Sequence, residues 1–352
     1  MAPIASITTD GVPISRVVVS LVVGGLMAKL LVTGGAGYIG SHTCRALAAA
    51  GHEVIVLDDL SAGHPATVDE FELVVGDVGD ADVVKRVFSR HGPIDGVVHF
   101  AGFIEVGRSV REPLAFYDTN LVAATNLVDV ALRNGVKAFV FSSTAAVYGM
   151  PETQPILEKS PIAPINPYGN SKAMLEQILA DVEHAYGMPW MALRYFNACG
   201  AHPGGDLGED HDPETHLIPV ALAAVAERRD ALTLFGTDYP TPDGTCVRDY
   251  IHVVDLADAH VLAVEGLLAG RPSGAYNLGT GQGHSNREIL DAVGRVVGRP
   301  VPHVEGPRRA GDPAELVADS TRFQFDFGWS PKCSDLETII SSAWSWHQNQ
   351  WG

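Results

Sequence analysis

The sequence predicts an α/β protein built on a doubly wound parallel sheet, followed by a smaller C-terminal α/β lobe that binds substrate. Three observations support this fold class. Short β-branched runs alternate with helical segments from Lys29 onward, these runs are almost wholly apolar, and a glycine-rich turn follows the first of them. Apolar runs without polar alternation indicate strands that helices cover on both faces.

The predicted strands and helices alternate regularly up to Asn197. The strands are KLLVT, EVIVLD (Glu53 to Asp58), ELVVGD (Glu72 to Asp77), GVVHFAG (Gly96 to Gly102), AFVFSS (Ala138 to Ser143) and MALRYFN (Met191 to Asn197). Helices are predicted near 41–50, 80–91, 113–134 and 168–186, and the third of these begins at Pro113 and ends before Gly135.

The turn after the first strand has the spacing of a dinucleotide site. TGGAGYIG places Gly34, Gly37 and Gly40 before an Ala-rich helix, so the backbone can approach a pyrophosphate beside the free N–H groups of the helix N-terminus. Asp58, at the end of the second strand, is placed to accept hydrogen bonds from a ribose 2′-hydroxyl and to repel a 2′-phosphate, and Asp59 adds a second negative charge. The sequence therefore predicts a Rossmann-type domain that prefers NAD to NADP.

Further strand ends supply candidates for the rest of the cofactor site. Asp77 ends the third predicted strand, Phe100 to Gly102 the fourth, and Ser142 to Thr144 the fifth. Ligands of open parallel sheets bind outside the carboxyl ends of the strands. Each of these residues taken alone is as readily a helix cap or a turn residue, but as a set they indicate a cofactor crevice.

The regular alternation stops after Asn197, in the Gly-, Pro- and acid-rich segment CGAHPGGDLGEDHDPETH. We therefore predict a dispensable N-terminal extension at residues 1–26, a Rossmann domain at 27–197 and a mainly substrate-binding lobe at 198–352, from which segments can return to the first domain. In the extension, VVVSLVVGGL is too short to span a membrane and lacks the basic lead-in and cleavage site of a signal peptide, although a secreted form is the alternative.

Composition limits the partners. The net charge of −18 comes from 42 acidic and 24 basic residues without a long block of one sign, which argues against non-specific binding to nucleic acid or to anionic membranes. The four cysteines are far apart and form no CxxC pair, so neither a disulfide framework nor a thiolate metal site is expected. A reducing cytoplasm fits this pattern best.

The segment NPYGNSK places Tyr168 and Lys172 four residues apart at the start of a predicted helix, and therefore on one helical face. A tyrosine whose pKa is near 10 is a poor base at neutral pH, but a lysine ammonium and a positive nicotinamide ring both favour the phenolate. With NAD in the crevice, Tyr168 is the expected base for a hydroxyl proton, and a hydroxyl from Thr144 or Ser143 is expected to position the substrate oxygen. The structural alternative is a core tyrosine with a solvated lysine.

The acidic loop GEDHDPETH brings His211, His216 and several carboxylates close in sequence. Such side chains in acidic loops are usually solvated, and the expected chemistry needs no metal. We therefore predict no metal site.

Four motifs, TGGAGYIG, SSTAAVYG, PYGNSK and RYFNACGAHP, resemble the extended short-chain dehydrogenase/reductase family. Two later stretches, FGTDYPTPDGTCVRDYIHVVDLADAH and PRRAGDP, resemble its UDP-glucose 4-epimerase branch, and the similarity runs from about Met27 to the C-terminus. The resemblance implies that Tyr168 takes the proton of the sugar 4-hydroxyl, that NAD takes and returns hydride at C4, and that the product is UDP-glucose from UDP-galactose or the reverse. It also implies a homodimer formed by the helices near 113–134 and 168–186. The spacing of Leu121, Thr125, Val128 and Leu132 fits that interface, but core packing explains it equally well.

The resemblance also implies the remaining site residues. Those expected at the cofactor are Gly34, Gly37, Tyr38, Ile39, Gly40, Asp58, Asp59, Asp77, Val78, Phe100, Ala101, Gly102, Asn120, Ser142, Tyr168, Lys172 and Tyr195. Those expected at the nucleotide sugar are Thr144, Tyr168, Asn197, His216, Leu217, Phe235, Arg248, Arg309, Asp312 and Leu316, with Arg248 and Arg309 on the diphosphate. Arg308 is as readily a solvent-facing residue.

Three departures from the family pattern affect the expected site. Thr144 stands where many relatives carry serine but keeps the hydroxyl, Ile104 stands where some carry lysine, and Leu316 stands where some carry a tyrosine wall of the sugar pocket. The smaller Leu316 predicts room for an N-acetyl group at the sugar C2.

Three alternatives to this function were weighed. A dehydratase is disfavoured because Ala145 and Ala146 stand where that branch supplies an acid and a base. A 4-epimerase of UDP-pentoses or UDP-uronates stays open, since only the C5 substituent differs. A non-catalytic NAD-binding scaffold would have no need of both Tyr168 and Lys172.

Overall fold

The computed structural model describes residues 27–309 and 311–352, so the predicted extension at 1–26 lies outside the described residues. The strands are β1 (Lys29–Thr33), β2 (Glu53–Asp58), β3 (Glu72–Val75), β4 (Gly96–His99), β5 (Ala138–Thr144), β6 (Trp190–Tyr195), β7 (Asn197–Cys199), β8 (Leu232–Phe235), β9 (Val247–His252), β10 (Gly274–Leu278), β11 (Gly283–Ser285), β12 (His303–Gly306) and β13 (Glu315–Leu316).

Helices separate most of these strands. They are α1 (Tyr38–Ala49), α2 (Ala81–His91), α3 (Val106–Arg111), α4 (Pro113–Tyr117), α5 (Ala124–Arg133), α6 (Pro167–Tyr186), α7 (Leu217–Val225), α8 (Val253–Leu268), α9 (Asn286–Val297), α10 (Thr321–Phe327) and α11 (Leu336–Trp351). Short 3₁₀ turns lie at Pro65–Val68 and Ala145–Tyr148, and a π-helical segment at Asp118–Ala123 connects α4 to α5.

Within the described residues, seven parallel strands form the central sheet in the order β10-β6-β5-β4-β1-β2-β3. This confirms the predicted doubly wound fold, and the strand order reverses between β1 and β4, where such sheets bind ligands. One face carries α1 and α8, and the other carries α2, α5 and α6. Both β10 and α8 come from beyond residue 198, so segments of the C-terminal half complete the sheet and its core.

A second core lies in the C-terminal lobe. Helices α7, α9 and α11 pack around β8 and β9, and the buried residues there include Leu222, Leu234, Val293 and Ile340. Strand β9 pairs with β7, β11 and β13. Since β7 follows β6 directly, the two lobes meet where the substrate chemistry is expected.

Three predicted strands end earlier than the sequence indicated. The sixth, predicted to reach Asn197, ends at Tyr195, and Asn197 begins the separate strand β7. β3 stops at Val75, two positions before Asp77, because its pairing with β2 ends at Asp58. β4 stops at His99, because the N–H groups of Phe100 and Ala101 both donate to Thr33 O, at 2.9 and 3.1 Å. The loop Phe100–Gly102 therefore leaves the regular strand pairing and lies across the end of β1.

The helix predicted at 113–134 is interrupted by the π-helical segment 118–123. There the Asn120 side chain accepts a hydrogen bond from Phe103 N at 2.7 Å and donates one to Phe103 O at 2.9 Å. The wider turn thus directs Asn120 toward the loop after β4, as π segments often do at functional sites.

Candidate active site

The glycine turn between β1 and α1 is built for close approach of backbone and ligand. Gly34 has φ +69, and a Cβ there would lie 2.5 Å from Ala101 N. A Cβ at Gly40 would collide with Gly34 O. Gly37 is the N-cap of α1 and offers no side chain to the first-turn N–H groups, which leaves them to an anion. The turn therefore has the shape that a pyrophosphate requires.

Asp58 lies beside this turn at the end of β2. Its carboxylate accepts hydrogen bonds from Ala36 N and Leu60 N, each at 2.9 Å. Burial raises the pKa of Asp58, and these two N–H groups act in the opposite direction. The exposed Asp59 instead accepts from Ser61. Asp58 is thus held beside the glycine turn by backbone N–H groups, whereas Asp59 lies at the surface.

The opposite wall of the crevice carries the residues expected from β3 to β5. Asn120 fastens the loop Phe100–Gly102, and a Cβ at Gly102 would lie 2.8 Å from Asn120 Oδ1. Val78 is buried, but Asp77 is exposed and accepts from Gly79 N at 2.7 Å. On the side of the crevice formed by α1, Ile39 packs on the core and the Tyr38 hydroxyl donates to Gly200 O at 2.7 Å.

Helix α6 presents the tyrosine and lysine as predicted. It begins because Asn166 accepts from Gly169 N at 2.8 Å with Pro167 at the first turn, and it ends at Gly187, with φ +76. The buried Lys172 ammonium donates to Ser142 O at 3.0 Å and lies 5.9 Å from the centre of the Tyr168 ring. Both side chains therefore face the crevice at the end of β5.

The surroundings set the proton affinities of this pair. Burial lowers the pKa of Lys172 to about 8. Burial raises the pKa of Tyr168, and a hydrogen bond with Thr144 opposes that rise. The net lowering of the Tyr168 pKa that was expected from the sequence is therefore absent in the protein without cofactor, where burial outweighs the hydrogen bond with Thr144.

The two candidate hydroxyls, those of Ser143 and Thr144, have different hydrogen-bond partners. Ser143 Oγ donates to Glu176 Oε1 at 2.5 Å, whereas the Thr144 hydroxyl lies within hydrogen-bonding reach of Tyr168. Ser142 bonds Tyr195 instead. The Thr144 hydroxyl therefore lies beside Tyr168, and it also accepts a hydrogen bond from Ala146 N at 3.1 Å.

Sequence reasoning missed the buried ion pair behind the site. Glu176 accepts two hydrogen bonds from Arg194 Nε, at 3.0 and 3.1 Å, and Arg194 Nη1 donates to the Tyr148 hydroxyl at 2.9 Å. The sequence spacing could have indicated Glu176, because this residue follows Lys172 by one helical turn and so shares its face. The pair anchors Ser143 and the end of β5.

Sequence reasoning also assigned no role to Asp249 or His260, although both lie in the quoted VRDYIHVVDLADAH motif. Asp249 is buried and accepts from the backbone of Thr280, Gly281 and Ala318. His260 is buried with its ring 4.8 Å from that of Phe100. Asp249 joins loops of the two lobes, and His260 supports the loop after β4.

At the other lobe, the residues expected at the nucleotide sugar contact one another in pairs. Arg248 forms an ion pair with Asp312, and the Arg309 guanidinium lies 4.2 Å from the centre of the Phe235 ring. Asn197 Nδ2 donates to Asp249 O at 2.9 Å, which ties β7 to β9. Arg308 is different, because it pairs with the exposed Asp238 at 2.7 Å on the surface.

Leu316 lies in β13, where it packs with Val147, Tyr148 and Ile156. Val147 and Tyr148 belong to the 3₁₀ turn that follows Thr144. Ala145 and Ala146, in the same turn, carry only methyl groups.

The acidic loop is not the solvated segment that the sequence indicated. Glu209 is buried, His216 is the N-cap of α7, and the ligand atoms of Glu209, His211, Glu214 and His216 all lie within 4.8 Å of one another. Burial acts to lower the pKa of His211, but the neighbouring carboxylates of Glu209 and Glu214 outweigh it and raise that pKa to about 10. Leu217 begins α7 directly after this cluster.

In residues 27–309 and 311–352, no helix combines the length and apolar character needed to cross a bilayer.

Comparison with known proteins agrees with this arrangement. A profile of the NAD dependent epimerase/dehydratase family matches residues 30–279. The UDP-glucose 4-epimerase of Lacticaseibacillus casei is 49% identical over 321 residues, which are 91% of this chain and 97% of that protein.

Two solved structures show the same likeness. UDP-glucose 4-epimerase from Brucella ovis in complex with NAD is 48% identical, with a TM-score of 0.88, over 90% of this chain and 97% of that one. The UDP-Glc/GlcNAc 4-epimerase of Campylobacter jejuni is 43% identical, with a TM-score of 0.80, over 92% and 99%. The predicted resemblance is thereby confirmed: the chain belongs to the NAD dependent epimerase/dehydratase family and, within it, to the UDP-glucose 4-epimerases.

Proposed function

We propose that the protein interconverts UDP-galactose and UDP-glucose by oxidising and then re-reducing the sugar at C4, with NAD as its cofactor. The observation that carries this is the placement of Tyr168, Thr144 and Lys172 at the end of β5, beside the glycine turn and Asp58. The relatives at 48–49% identity, one with NAD bound, support the same activity.

In this mechanism Tyr168 removes the proton of the 4-hydroxyl and later returns it, while the Thr144 hydroxyl positions the same oxygen. The Lys172 ammonium favours the phenolate of Tyr168 electrostatically. NAD, which the glycine turn and Asp58 would hold, would supply the hydride acceptor for C4 of the sugar and the hydride donor for the 4-keto sugar once that sugar has turned. Arg248 and Arg309 hold the diphosphate during the turn. Ala145 and Ala146 have no proton to move, so water is not eliminated.

The test is to incubate the purified protein with UDP-galactose, without added NAD, and to quantify UDP-glucose. Tyr168→Phe is expected to lower kcat about 1000-fold, because it removes the base without removing the ring. Tyr186→Phe, at the exposed end of the same helix, is the matched control and keeps wild-type turnover. Unchanged turnover in Tyr168→Phe would refute the assigned base.

A second activity, on UDP-N-acetylhexosamines, is favoured by Leu316. Its short side chain packs beside the turn that follows Thr144 and leaves more room than a tyrosine would. The Campylobacter jejuni relative is named for UDP-Glc and GlcNAc. We expect turnover of UDP-GalNAc, and we expect Leu316→Tyr to reduce it while sparing UDP-galactose. No detectable reaction of the wild type with UDP-GalNAc would rule this activity out.

A homodimer is the assembly that we propose. Val128 is buried in the core, and Leu121 and Leu132 pack partly buried against it, so core packing accounts for the spacing of these residues. Leu114, Val122 and Met174, on α4, the π segment and α6, are instead exposed by 82%, 51% and 46%. Leu114→Glu is expected to give monomers in analytical ultracentrifugation, whereas Phe325→Glu, an exposed control in α10, should not. Wild-type protein sedimenting as a monomer would contradict the proposal.

We also propose that the protein acts in the cytoplasm. Cys44, Cys199, Cys246 and Cys333 are all free thiols, as a reducing compartment allows. Cell fractionation with an antibody to the protein is the test, and recovery in the secreted fraction would contradict it.

A further inference from the structure

The loop before α7 brings together two histidines and two glutamates that the proposed sugar chemistry does not use as a group. Glu209, His211, Glu214 and His216 come from one short stretch of chain, and their ligand atoms lie within 4.8 Å of one another. His216 is the N-cap of α7 and His211 lies in the loop, so the cluster connects the loop to the helix.

Three of the separations are close to those between ligands of one tetrahedral ion, with Glu214 turning a different oxygen toward each histidine. His211 Nδ1 lies 3.4 Å from Glu209 Oε1 and 3.4 Å from Glu214 Oε2, and His216 Nδ1 lies 3.7 Å from Glu214 Oε1. Zinc–ligand bonds of about 2.1 Å at tetrahedral angles place the ligand atoms about 3.4 Å apart. His216 Nδ1 and Glu209 Oε1 are closer, at 2.5 Å, as a shared proton requires. A metal replaces that proton with a small outward shift.

Burial and pairing also point to a cation. The Glu209 side chain is only 5% exposed, yet it lies among other acidic groups. Among the described residues, His211 Nδ1 and Glu214 Oε2 are buried polar atoms without a hydrogen bond. Such atoms are rare in folded proteins, where they normally find a partner.

Access is available from two sides. His216 is 49% exposed. A cavity of about 250 Å³ borders Glu209, His211 and Glu214 and is closed on its other side by Trp346, His347 and Trp351 of α11. An ion can therefore reach the cluster without opening the fold.

We propose that Glu209, His211, Glu214 and His216 bind one divalent transition-metal ion and that its chemistry is that of Zn²⁺. Two imidazoles and two carboxylates in a compact arrangement suit Zn²⁺, whereas Ca²⁺ and Mg²⁺ prefer oxygen ligands only. The ion has a structural role, fixing the acidic loop to the start of α7. It lies outside the hydride-transfer chemistry, so the inference is independent of the proposed function.

The test uses full-length protein dialysed against chelator and then titrated with Zn²⁺ alone by calorimetry. We expect about one Zn²⁺ per chain and a higher melting temperature with the ion bound. His211→Gln is expected to weaken binding at least about 100-fold, since it removes a ligand atom and keeps the size of the side chain. Asp212→Asn, an exposed carboxylate of the same loop outside the cluster, should bind as the wild type does.

A Co²⁺ titration gives a second readout that does not depend on the stability of a variant. Co²⁺ at a tetrahedral site absorbs visible light strongly, so the wild type should develop that band with one equivalent. Failure of the wild type to bind Zn²⁺, or unchanged Zn²⁺ affinity in His211→Gln, would overturn the proposal. Either result would mean that protons alone hold the cluster.

Discussion

The cofactor end and the nucleotide-sugar end of this site are built from different parts of the chain. At the cofactor end the main groups belong to the backbone, namely the turn at Gly34, the N-terminus of α1 and the loop Phe100–Gly102. At the sugar end the main groups are side chains in pairs, Arg248 with Asp312 and Arg309 with Phe235. A backbone site is specified by a local motif, whereas a side-chain site depends on which distant segments the fold brings together.

The histidines near the two ends also differ in their pKa values. Burial lowers the pKa of His99 to about 3 and that of His260 to about 4, so both are neutral under the central sheet. In the acidic loop, burial acts in the same direction on His211, but Glu209 and Glu214 raise its pKa to about 10. Histidine is thus a packing residue at one end and a charge carrier at the other.

The largest effect is expected from a substitution at the cofactor end, where the main groups belong to the backbone. Gly34→Ala should lower NAD retention at least about 100-fold and destabilise the fold by about 3 kcal/mol, because φ +69 and contact with Ala101 N leave no room for a Cβ. The measurements are the NAD content of the purified protein and urea unfolding. Gly107→Ala is the control, since a Cβ at Gly107 meets nothing within 4 Å. Equal NAD content in the two variants would contradict the backbone argument.

An intermediate effect is expected at the side-chain end. Arg309→Ala should raise KM for UDP-galactose about 10- to 100-fold with a smaller change in kcat, because it removes a charge-assisted contact to the diphosphate. Its neighbour Arg308 forms an exposed pair with Asp238, so Arg308→Ala should change KM less than about threefold. Steady-state kinetics on both variants decides this, and equal KM values would remove Arg309 from the clamp.

The smallest effect concerns Lys172, a side chain on which the cofactor end depends. Its folded-state pKa of about 8 lies below the ordinary 10.5, so the folded state releases a proton that the unfolded chain keeps between these values. The wild type therefore gains stability as the pH rises from 8 toward 10.5. Lys172→Met lacks this gain and should be about 1–2 kcal/mol more stable at pH 7, with the difference shrinking by pH 9.5.

Urea unfolding at several pH values measures that difference. The expected gain in stability is smaller than the full effect of the pKa shift, because the variant loses the hydrogen bond from Lys172 to Ser142 O. A stability difference that does not change between pH 7 and 9.5 would show that the lysine carries its charge in both states.

Local signals made much of the fold predictable. Helix α6 was predicted to within one residue at its start because Asn166, Pro167 and Gly187 fix its ends through contacts within a few residues. The early end of β3 was not predictable, since the neighbouring strand sets it: Asp58, the last residue of β2, pairs with Val75. The same holds for β10, which pairs with β6 although its residues lie 83 positions later in the chain, as Gly274 pairs with Met191 and Leu278 with Tyr195.

The sequence by itself determined the doubly wound sheet, the glycine turn, Asp58 and the Tyr168–Lys172 pair, because each depends on spacing within one strand, turn or helix. The tertiary structure distinguished the two candidate hydroxyls, since Ser143 donates to Glu176 whereas Thr144 lies within hydrogen-bonding reach of Tyr168. It also gathered His211, Glu214 and His216 around the buried Glu209, which the loop's composition did not reveal. Burial and the pairing of distant side chains arise only when the chain packs.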